Sequence, residues 1–471
     1  MKKILLLFLL GILASFAMAP HNFWPGLFVA LSGLYICIYR AKTPKAAALF
    51  GCIFSLGYFG LSLSWVANAL LVEGNPYWWA WPLAISGLPI ILAPFTAAAC
   101  AIYKIICKNN NSITSFLIFC LCLSIAEFAR GHLFTGFPWN LYGYAWIDVL
   151  PIAQLASLHN IYLLSTLTVF WAVAPGFILT WQERKHYKNL FSLIIVTSIA
   201  CGYIYGTKRL HSTHTTNLQS TAVIVVQPNI QQSEKWKAEK RVDNFLQLIQ
   251  GSVYNAEEYS DAVKNHIIVW PETAISQDLL DSLWVKEQIS KTLSGYPNNA
   301  YLVSGALRYT RATDSYNNSI LTIDNAGEII SIYDKRHLVP FGEYMPFSNI
   351  INIAPIVGFT GFEKGAKEST QSIPSGLSFN ALVCYEIIFP SYAQSPKNTP
   401  TDIIINVTND AWYGESAGPY QHLVQTQFRA IETGSPVVRS ANTGISAIIS
   451  SQGVVLQSKP LNESGTLYAP L

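Results

Sequence analysis

Long apolar runs fill the first 206 residues and only short ones follow, so the chain divides into two halves of different kind. The long runs lie near residues 4–19, 24–39, 47–71, 77–103, 113–129, 160–182 and 190–206. A helix needs about 20 apolar residues to cross hydrocarbon; most of these runs reach that length, and the first two fall short. The pattern predicts a multi-span α-helical membrane bundle of about seven helices over residues 1–206. Residues 207–220 read as a polar linker whose His211 and His214 are solvated rather than metal-binding. Beyond it, short β-branched runs predict strands at 221–227, 266–270, 300–307, 318–323, 329–333, 379–384, 402–407, 436–440 and 445–450. Helices are expected at 234–259, 278–294 and 419–433. Ala222–Val226 and Asp402–Asn406 are apolar nearly throughout, as in strands buried on both faces. This alternation predicts a layered α/β domain over 207–471.

Charge orients the helical half. Lys2 and Lys3, then Arg40, Lys42 and Lys45, then Lys104 and Lys108, then Arg184, Lys185 and Lys188 occupy alternate connections, and only Arg130 falls on the other side. Positive charge stays cytoplasmic, so the N-terminus is expected inside and residue 207 outside after seven crossings. Fusing the first two runs into one span would put Arg40, Lys42 and Lys45 outside, against the same rule. Residues 1–19 resemble a secretory signal peptide, with Lys2-Lys3 and Ala17-Met18-Ala19, but Pro20 is a poor residue after a cleavage site. Charged residues are 12% of the chain, about half the share in soluble proteins. The net charge of +3, with no basic run interleaved with aromatics, argues against nucleic acid.

Seven of the eight cysteines lie in the apolar half, where they serve as small hydrophobes in helix packing. Cys384 stands alone in the polar half, so no disulfide forms within that domain, and no CxxC or His–Cys cluster offers a metal site. Glu127 and Arg130 share one helical face at the end of the fifth run. They fit either an ion pair facing a cavity or a helix-end pair reaching for the interface. The aromatic segment from Phe134 through Trp139 to Tyr144 fits either an interfacial belt or the floor of a lipid-binding cleft.

Three segments combine strand ends with reactive side chains. Val269-Trp270-Pro271-Glu272 ends a strand in a carboxylate on a rigid turn; alone it reads as a solvated turn glutamate. Tyr333-Asp334-Lys335 through Glu343-Tyr344 packs cations and a carboxylate around Pro340 and Gly342, and fits a surface charge cluster or a lysine that stabilises an oxyanion or lowers a thiol pKa. Leu382-Val383-Cys384-Tyr385-Glu386 brings a thiol to a strand end. A buried structural cysteine is the ordinary alternative, but the isolation of Cys384 and its polar flanks point to a nucleophile.

Together the three segments resemble the Glu–Lys–Cys set of the nitrilase superfamily, with an α-β-β-α sandwich, matched here by Glu272, Lys335 and Cys384. Joined to the bundle, the chain resembles the apolipoprotein N-acyltransferase family. The likeness runs over nearly the whole chain, including Glu127, Arg130, Phe134–Trp139, Pro228-Asn229 with Trp236, Lys335–Glu343, Cys384-Tyr385-Glu386 and Asn409–Gly414. The resemblance implies a bacterial inner-membrane enzyme, multi-pass, with its catalytic domain on the periplasmic side. It would carry out the last step of lipoprotein maturation without a cofactor, acting as a monomer. Glu272 would be the base for Cys384, which takes the sn-1 acyl chain of a phospholipid, phosphatidylethanolamine above all, as a thioester. The α-amine of a diacylglyceryl-cysteine at an apolipoprotein N-terminus would then accept it, a ping-pong scheme. Lys335 and the Tyr385 N–H would hold the oxyanion, Glu343 would orient the other charged groups, and Glu386 would support them. Trp236, Phe341, Trp412 and Tyr413 would shield the thioester, with Trp139 lining the lipid cleft. Loops around 340–365 and 409–420 would close over the lipid. Family members usually carry one more membrane helix after the catalytic domain, and no such run precedes Leu471. A membrane-tethered nitrilase-type amidase and a non-catalytic lipoprotein-binding protein are the rival readings.

Overall fold

Each apolar run condenses into a helix because lipid offers no partner to a bare peptide group. The structure, a computed structural model, describes all residues except 74, 76, 109, 213–219, 254–262, 312–313, 346–361, 366–368 and 396–400. The chain forms two compact units. One holds Met1–Asn68, Tyr77–Thr213 and Ser416–Glu432; the other holds Ala69–Pro76, His214–Glu415 and Thr433–Leu471.

In the helical unit the runs become Lys2–Ser15, Pro25–Tyr39, Pro44–Ser62, Trp81–Cys107, Ile113–His132, Ile161–Thr180 and Lys185–His211. Among the described residues, five helices are long and apolar enough to cross a membrane: Pro44–Ser62, Trp78–Cys107 (with its leading turn), Ile113–His132, Ile161–Thr180 and Lys185–His211. Without a hydrophobic force between helices in lipid, close backbone approach holds them together. A Cβ on Gly11 would lie 2.0 Å from the Phe54 carbonyl oxygen, and one on Gly57 would lie 2.3 Å from that of Phe8, so Lys2–Ser15 and Pro44–Ser62 touch backbone to backbone. Glu127 and Arg130 turn inward. Glu127 accepts from the Tyr142 N–H and the Ser165 hydroxyl, and Arg130 donates to the carbonyls of Phe137 and Trp139 at 2.6 and 2.7 Å. The charged pair therefore fixes the aromatic segment, whose Tyr142–Trp146 turn is buried while Phe134 stays fully exposed.

Among the described residues, the second unit contains twelve strands. In chain order they are β1 Thr221–Gln227, β2 Asn265–Ile275, β3 Asn299–Thr310, β4 Ser315–Ile323, β5 Ile329–Asp334, β6 Thr370–Ser372, β7 Ser378–Val383, β8 Ile403–Thr408, β9 Val437–Ala441, β10 Ser446–Ile449, β11 Val455–Lys459 and β12 Gly465–Pro470. They build two six-stranded sheets, ordered β12-β1-β2-β3-β4-β5 and β11-β10-β9-β8-β7-β6. Three parallel strands lie at the centre of each, β1-β2-β3 and β7-β8-β9, flanked by antiparallel neighbours. Val223, Val225, Ile267 and Val269 pack with Phe379, Ala381, Val383 and Ile405 in a core joining both sheets. The alternate residues Ile224, Val226 and Ile268 pack with Phe245, Leu248, Val285 and Ile289 of the helices Arg241–Gly251 and Leu283–Ser294. Burial on both faces explains why the central strands read as continuous apolar runs.

The nine expected strands all form. The sequence missed β6, β11 and β12, three of the four sheet edges. Edges are solvated and polar, and β11 has a mostly exposed face, so no apolar run marks it. The helix expected at 234–259 is shorter, running from Arg241 to Gly251 after a 3-10 turn at Ala238–Lys240. Residues 231–237 form turns instead, because the Lys235 side chain is drawn to the carbonyl of Glu272. The end of that expected helix, and part of the 207–220 linker with His214, lie outside the described residues.

Candidate active site

Glu272 is carried by an irregularity in β2. Trp270 pairs with Ser304 and Ile275 with Ala306, so four residues of β2 bow out opposite Gly305 alone. The bow brings the chain so close to β3 that a Cβ on Gly305 would lie 2.3 Å from the Pro271 oxygen and 2.6 Å from the Glu272 Cα. Within it Thr273 takes a left-handed φ of 48°. Bulges of this kind re-aim a side chain beside a site.

Lys335 follows β5, its N–H donating to the Asn318 carbonyl at 2.8 Å. Its ammonium sits 2.8 Å from Glu343 Oε1 and 3.9 Å from Glu272 Oε1. Asn318, on β4, donates from one Nδ2 to both carboxylates, at 2.7 Å to Glu272 and 3.0 Å to Glu343. Glu343 is held in turn by the Val339 N–H at 2.8 Å. The loop between them passes through Phe341, half exposed with φ 64°.

Cys384 follows β7 directly and opens a 3-10 turn, Cys384–Ile388, with φ 49°. The strand delivers the thiol, and the left-handed residue turns it out of the sheet. Glu386, fully buried, fixes this turn. Its Oε1 accepts from the Tyr333 hydroxyl, the Arg336 N–H and the His337 N–H at 2.8, 2.7 and 3.1 Å, and its Oε2 accepts from the Val383 N–H at 2.8 Å. One carboxylate therefore ties the cysteine turn to the lysine loop. Glu386→Gln replaces an acceptor with an amide donor facing an N–H. It should destabilise the unit by about 2 kcal/mol and slow any reaction of Cys384 with it. Thermal unfolding and thiol alkylation, measured together, check this; a variant unchanged in both would show that the clamp has no role.

Electrostatics couple the three side chains. Burial pushes the Cys384 thiol well up, the Glu272 carboxylate pushes it further, and Lys335 pulls it back. Burial also raises Glu272, against Lys335, which lowers it. Lys335 is desolvated, which acts to lower it, yet Glu343 and Glu272 hold it above the ordinary lysine range. The resting thiol is therefore neutral. Lys335 pulls the thiol down without outweighing burial.

Thr408 hydrogen-bonds the thiol, and Asp410 faces it electrostatically. Asp410 accepts from Thr408 Oγ1 at 3.0 Å and from Arg439 Nη2 at 2.6 Å, while Arg439 Nη1 donates to Asn406 at 2.6 Å. This network anchors the turn Asp410–Tyr413, which carries the half-buried Trp412 and Tyr413. The Tyr413 hydroxyl is pushed up by burial and then by Cys384, Asp410 and Glu272, which places it among them. Trp236 is half-buried, with the Lys235 ammonium 5.6 Å from its ring centre. Trp139 belongs to the helical unit, where it is buried and its indole N–H donates to Gln421 Oε1 at 2.8 Å. Of the expected lids, residues 346–361, with Gly358 and Gly361, lie outside the described residues.

Sequence reading missed two members. Asn318 was visible only as the polar first residue of the strand expected at 318–323, which demands partners when buried. Lys235 lay in a stretch read as helix. Among the described residues, no group of three or more His, Cys, Asp or Glu is placed to hold a metal ion.

Comparison with known proteins agrees with this arrangement. Residues 10–174 match the apolipoprotein N-acyltransferase N-terminal domain, and residues 222–471 match the carbon-nitrogen hydrolase domain. Apolipoprotein N-acyltransferase of Rhodopseudomonas palustris is 34% identical, covering 100% of this chain and 89% of that protein. That of Rickettsia bellii is 36% identical, covering 97% and 88%. Among solved structures, a nitrilase-superfamily member from Saccharomyces cerevisiae aligns with TM-score 0.40 at 15% identity, covering 53% of this chain and 89% of its own. With relatives above 30% identity matched almost end to end, and a carbon-nitrogen hydrolase domain spanning the half that carries Glu272, Lys335 and Cys384, the chain belongs to the apolipoprotein N-acyltransferase family.

Proposed function

We propose that this protein is a membrane-bound acyltransferase that moves an acyl chain from a phospholipid to the α-amine of a diacylglyceryl-cysteine on an apolipoprotein, through a thioester on Cys384. The observation that carries the mechanism is the buried Glu272–Lys335–Cys384 set, in which a neutral thiol faces the carboxyl group of Glu272 and a lysine held charged. Residues 1–206 are read as the bundle, inserted in the inner membrane with seven crossings, and residues 207–471 as the periplasmic catalytic domain.

In the first half-reaction Glu272 takes the thiol proton as Cys384 Sγ attacks the ester carbonyl carbon. Proton transfer removes the carboxylate charge that had raised the thiol, and Lys335 remains beside the new negative charge. Lys335 Nζ and the Tyr385 N–H are read as the oxyanion donors. The ester C–O bond then breaks, the proton passes from Glu272 to the leaving alkoxide, and a lysophospholipid departs. In the second half the neutral amine attacks the thioester, Glu272 takes its proton, the C–S bond breaks, and the returned proton restores the thiol. Trp236, Phe341, Trp412 and Tyr413 are read as the shield of the thioester from water. Glu343 and Asn318 hold the charged groups in register. Phosphatidylethanolamine is the donor we favour, with the enzyme acting as a monomer.

The test is intact-mass analysis of purified protein incubated with phosphatidylethanolamine. One acyl chain should add to the wild type, discharge on addition of a diacylated lipopeptide, and be absent in Cys384→Ser. No adduct on the wild type, or transfer retained by Cys384→Ser, would sink the mechanism.

A further inference from the structure

The site contains a second lysine that the scheme above does not use. Lys235 is as buried as the reactive groups, at 8% exposure. Its ammonium donates to the main-chain oxygen of Glu272 at 2.8 Å and to Thr273 Oγ1 at 2.6 Å. These are the two residues at the tip of the bow in β2, one bearing the carboxylate and the other the strained φ of 48°. The same ammonium lies over the Trp236 ring. It projects from a turn over residues 232–236, part of which was expected to be helical.

From this geometry we infer that Lys235 is a positioning residue for acyl transfer. It pins the Glu272 turn against β3 and supplies a second positive charge that keeps Glu272 an available base. The inference rests on Glu272 acting as the base for Cys384. The bow has little support of its own. Gly305 lets the chain approach β3, but nothing in that contact fixes the direction in which the carboxylate points, whereas an ammonium bound to Glu272 O and Thr273 Oγ1 does. Charge adds a separate effect. Glu272 is faced by Lys335 and Lys235, which favour its ionised form, and by Glu343, which disfavours it. Lys235 faces Glu272 and Cys384 in turn; burial pushes it down to about 8, while those two neighbours draw it up. It is thus charged at neutral pH, though less firmly than Lys335.

Removing the charge should raise the pKa of Glu272, so acylation would require a higher pH to free the base. The experiment follows formation of the Cys384 acyl adduct from phosphatidylethanolamine by rapid-quench intact mass between pH 5 and 9, in wild type, Lys235→Met, Lys235→Gln and Lys235→Arg. The Met variant should acylate about 100-fold more slowly at neutral pH, the scale of loss from a small misplacement of a reacting group. The acid limb of its profile should move up by about half a unit or more. Lys235→Gln retains a donor for the Glu272 oxygen but no charge. It should show the same shift with a smaller loss of rate, and it carries the test if the Met variant fails to fold. Lys235→Arg keeps the charge, so its acid limb should stay at the wild-type position even where its bulk slows the reaction. An unmoved acid limb in Lys235→Gln, or a rate within about threefold of wild type in Lys235→Met, overturns the inference. Absence of an adduct in the wild type would instead overturn the reading of Cys384 and Glu272.

Discussion

Glu272→Gln should slow thioester formation on Cys384 by about 10³- to 10⁴-fold, the range expected for loss of a positioned general base. The fold should survive, because Lys335 keeps its 2.8 Å partner Glu343 and the glutamine oxygen can still accept from Asn318. The same substitution should make the thiol easier to ionise, since the Glu272 carboxylate is one of the groups that raise it. Alkylation of Cys384 by iodoacetamide should therefore reach its midpoint at lower pH in the variant, even as acyl transfer collapses. This opposite movement separates loss of a base from general damage, which would depress both. Alkylation shifted to higher pH, or acylation within tenfold of wild type, would contradict the assignment of Glu272.

Lys335→Met should be nearly as severe and should also weaken the fold. Without the ammonium, Glu272 and Glu343 share one Asn318 amide with no cation between them. Breaking a buried pair by removing one partner costs about 3–5 kcal/mol. Part of that cost can be relieved by a proton bound to the carboxylate pair, whose pKa in the folded variant then stands above its unfolded value. Such a group adds stability at pH below its unfolded value, and the stability is lost as pH rises through the raised one. The variant should accordingly be closest to wild type near pH 5 and furthest from it near pH 8, read by thermal unfolding at each pH. In the wild type Lys335 is itself raised, so its contribution is complete at both pH values and wanes only in strong alkali. A stability gap that widens as pH falls would refute this account. Acylation should drop by about 10³-fold or more, because among the described residues no other ammonium is ion-paired to Glu343.

The reactive centre was legible because an apolar run stops abruptly at each of its three groups; Lys335 and Cys384 follow strand ends, whereas Glu272 sits in a bow inside β2. Trp270-Pro271-Glu272, Asp334-Lys335 and Val383-Cys384 each show that break. The supporting groups gave no such signal. Asn318 lies in the polar first half of β4, between Asn317 and Ser319, where one more amide carries no signal until the fold brings two carboxylates to it. Lys235 lies in a stretch whose polar and apolar spacing suits a helix; a tertiary hydrogen bond overrode that propensity. The edge strands β6, β11 and β12 escaped for a related reason. β6 and β11 are short and largely uncovered, and β12 alternates part-exposed residues and pairs with the distant β1. In the helical half the apolar runs located the helices well. Which way Glu127 and Arg130 faced depended on the Tyr142 amide, the Ser165 hydroxyl and the carbonyls that receive them.

Each of the three segments that present a reactive group contains a non-glycine residue in the left-handed region: Thr273 beside Glu272, Phe341 between Lys335 and Glu343, and Cys384 itself. Side chains in that region cost about 1–2 kcal/mol each, a load that the two sheets and their shared core must carry. Those positions will therefore behave as weak points under selection for heat resistance. A library screened for thermal tolerance alone should enrich glycine or asparagine at Thr273 and Phe341, relaxing the loops that hold the charged groups in place. Improved shelf life obtained that way would come with a catalyst whose parts no longer meet.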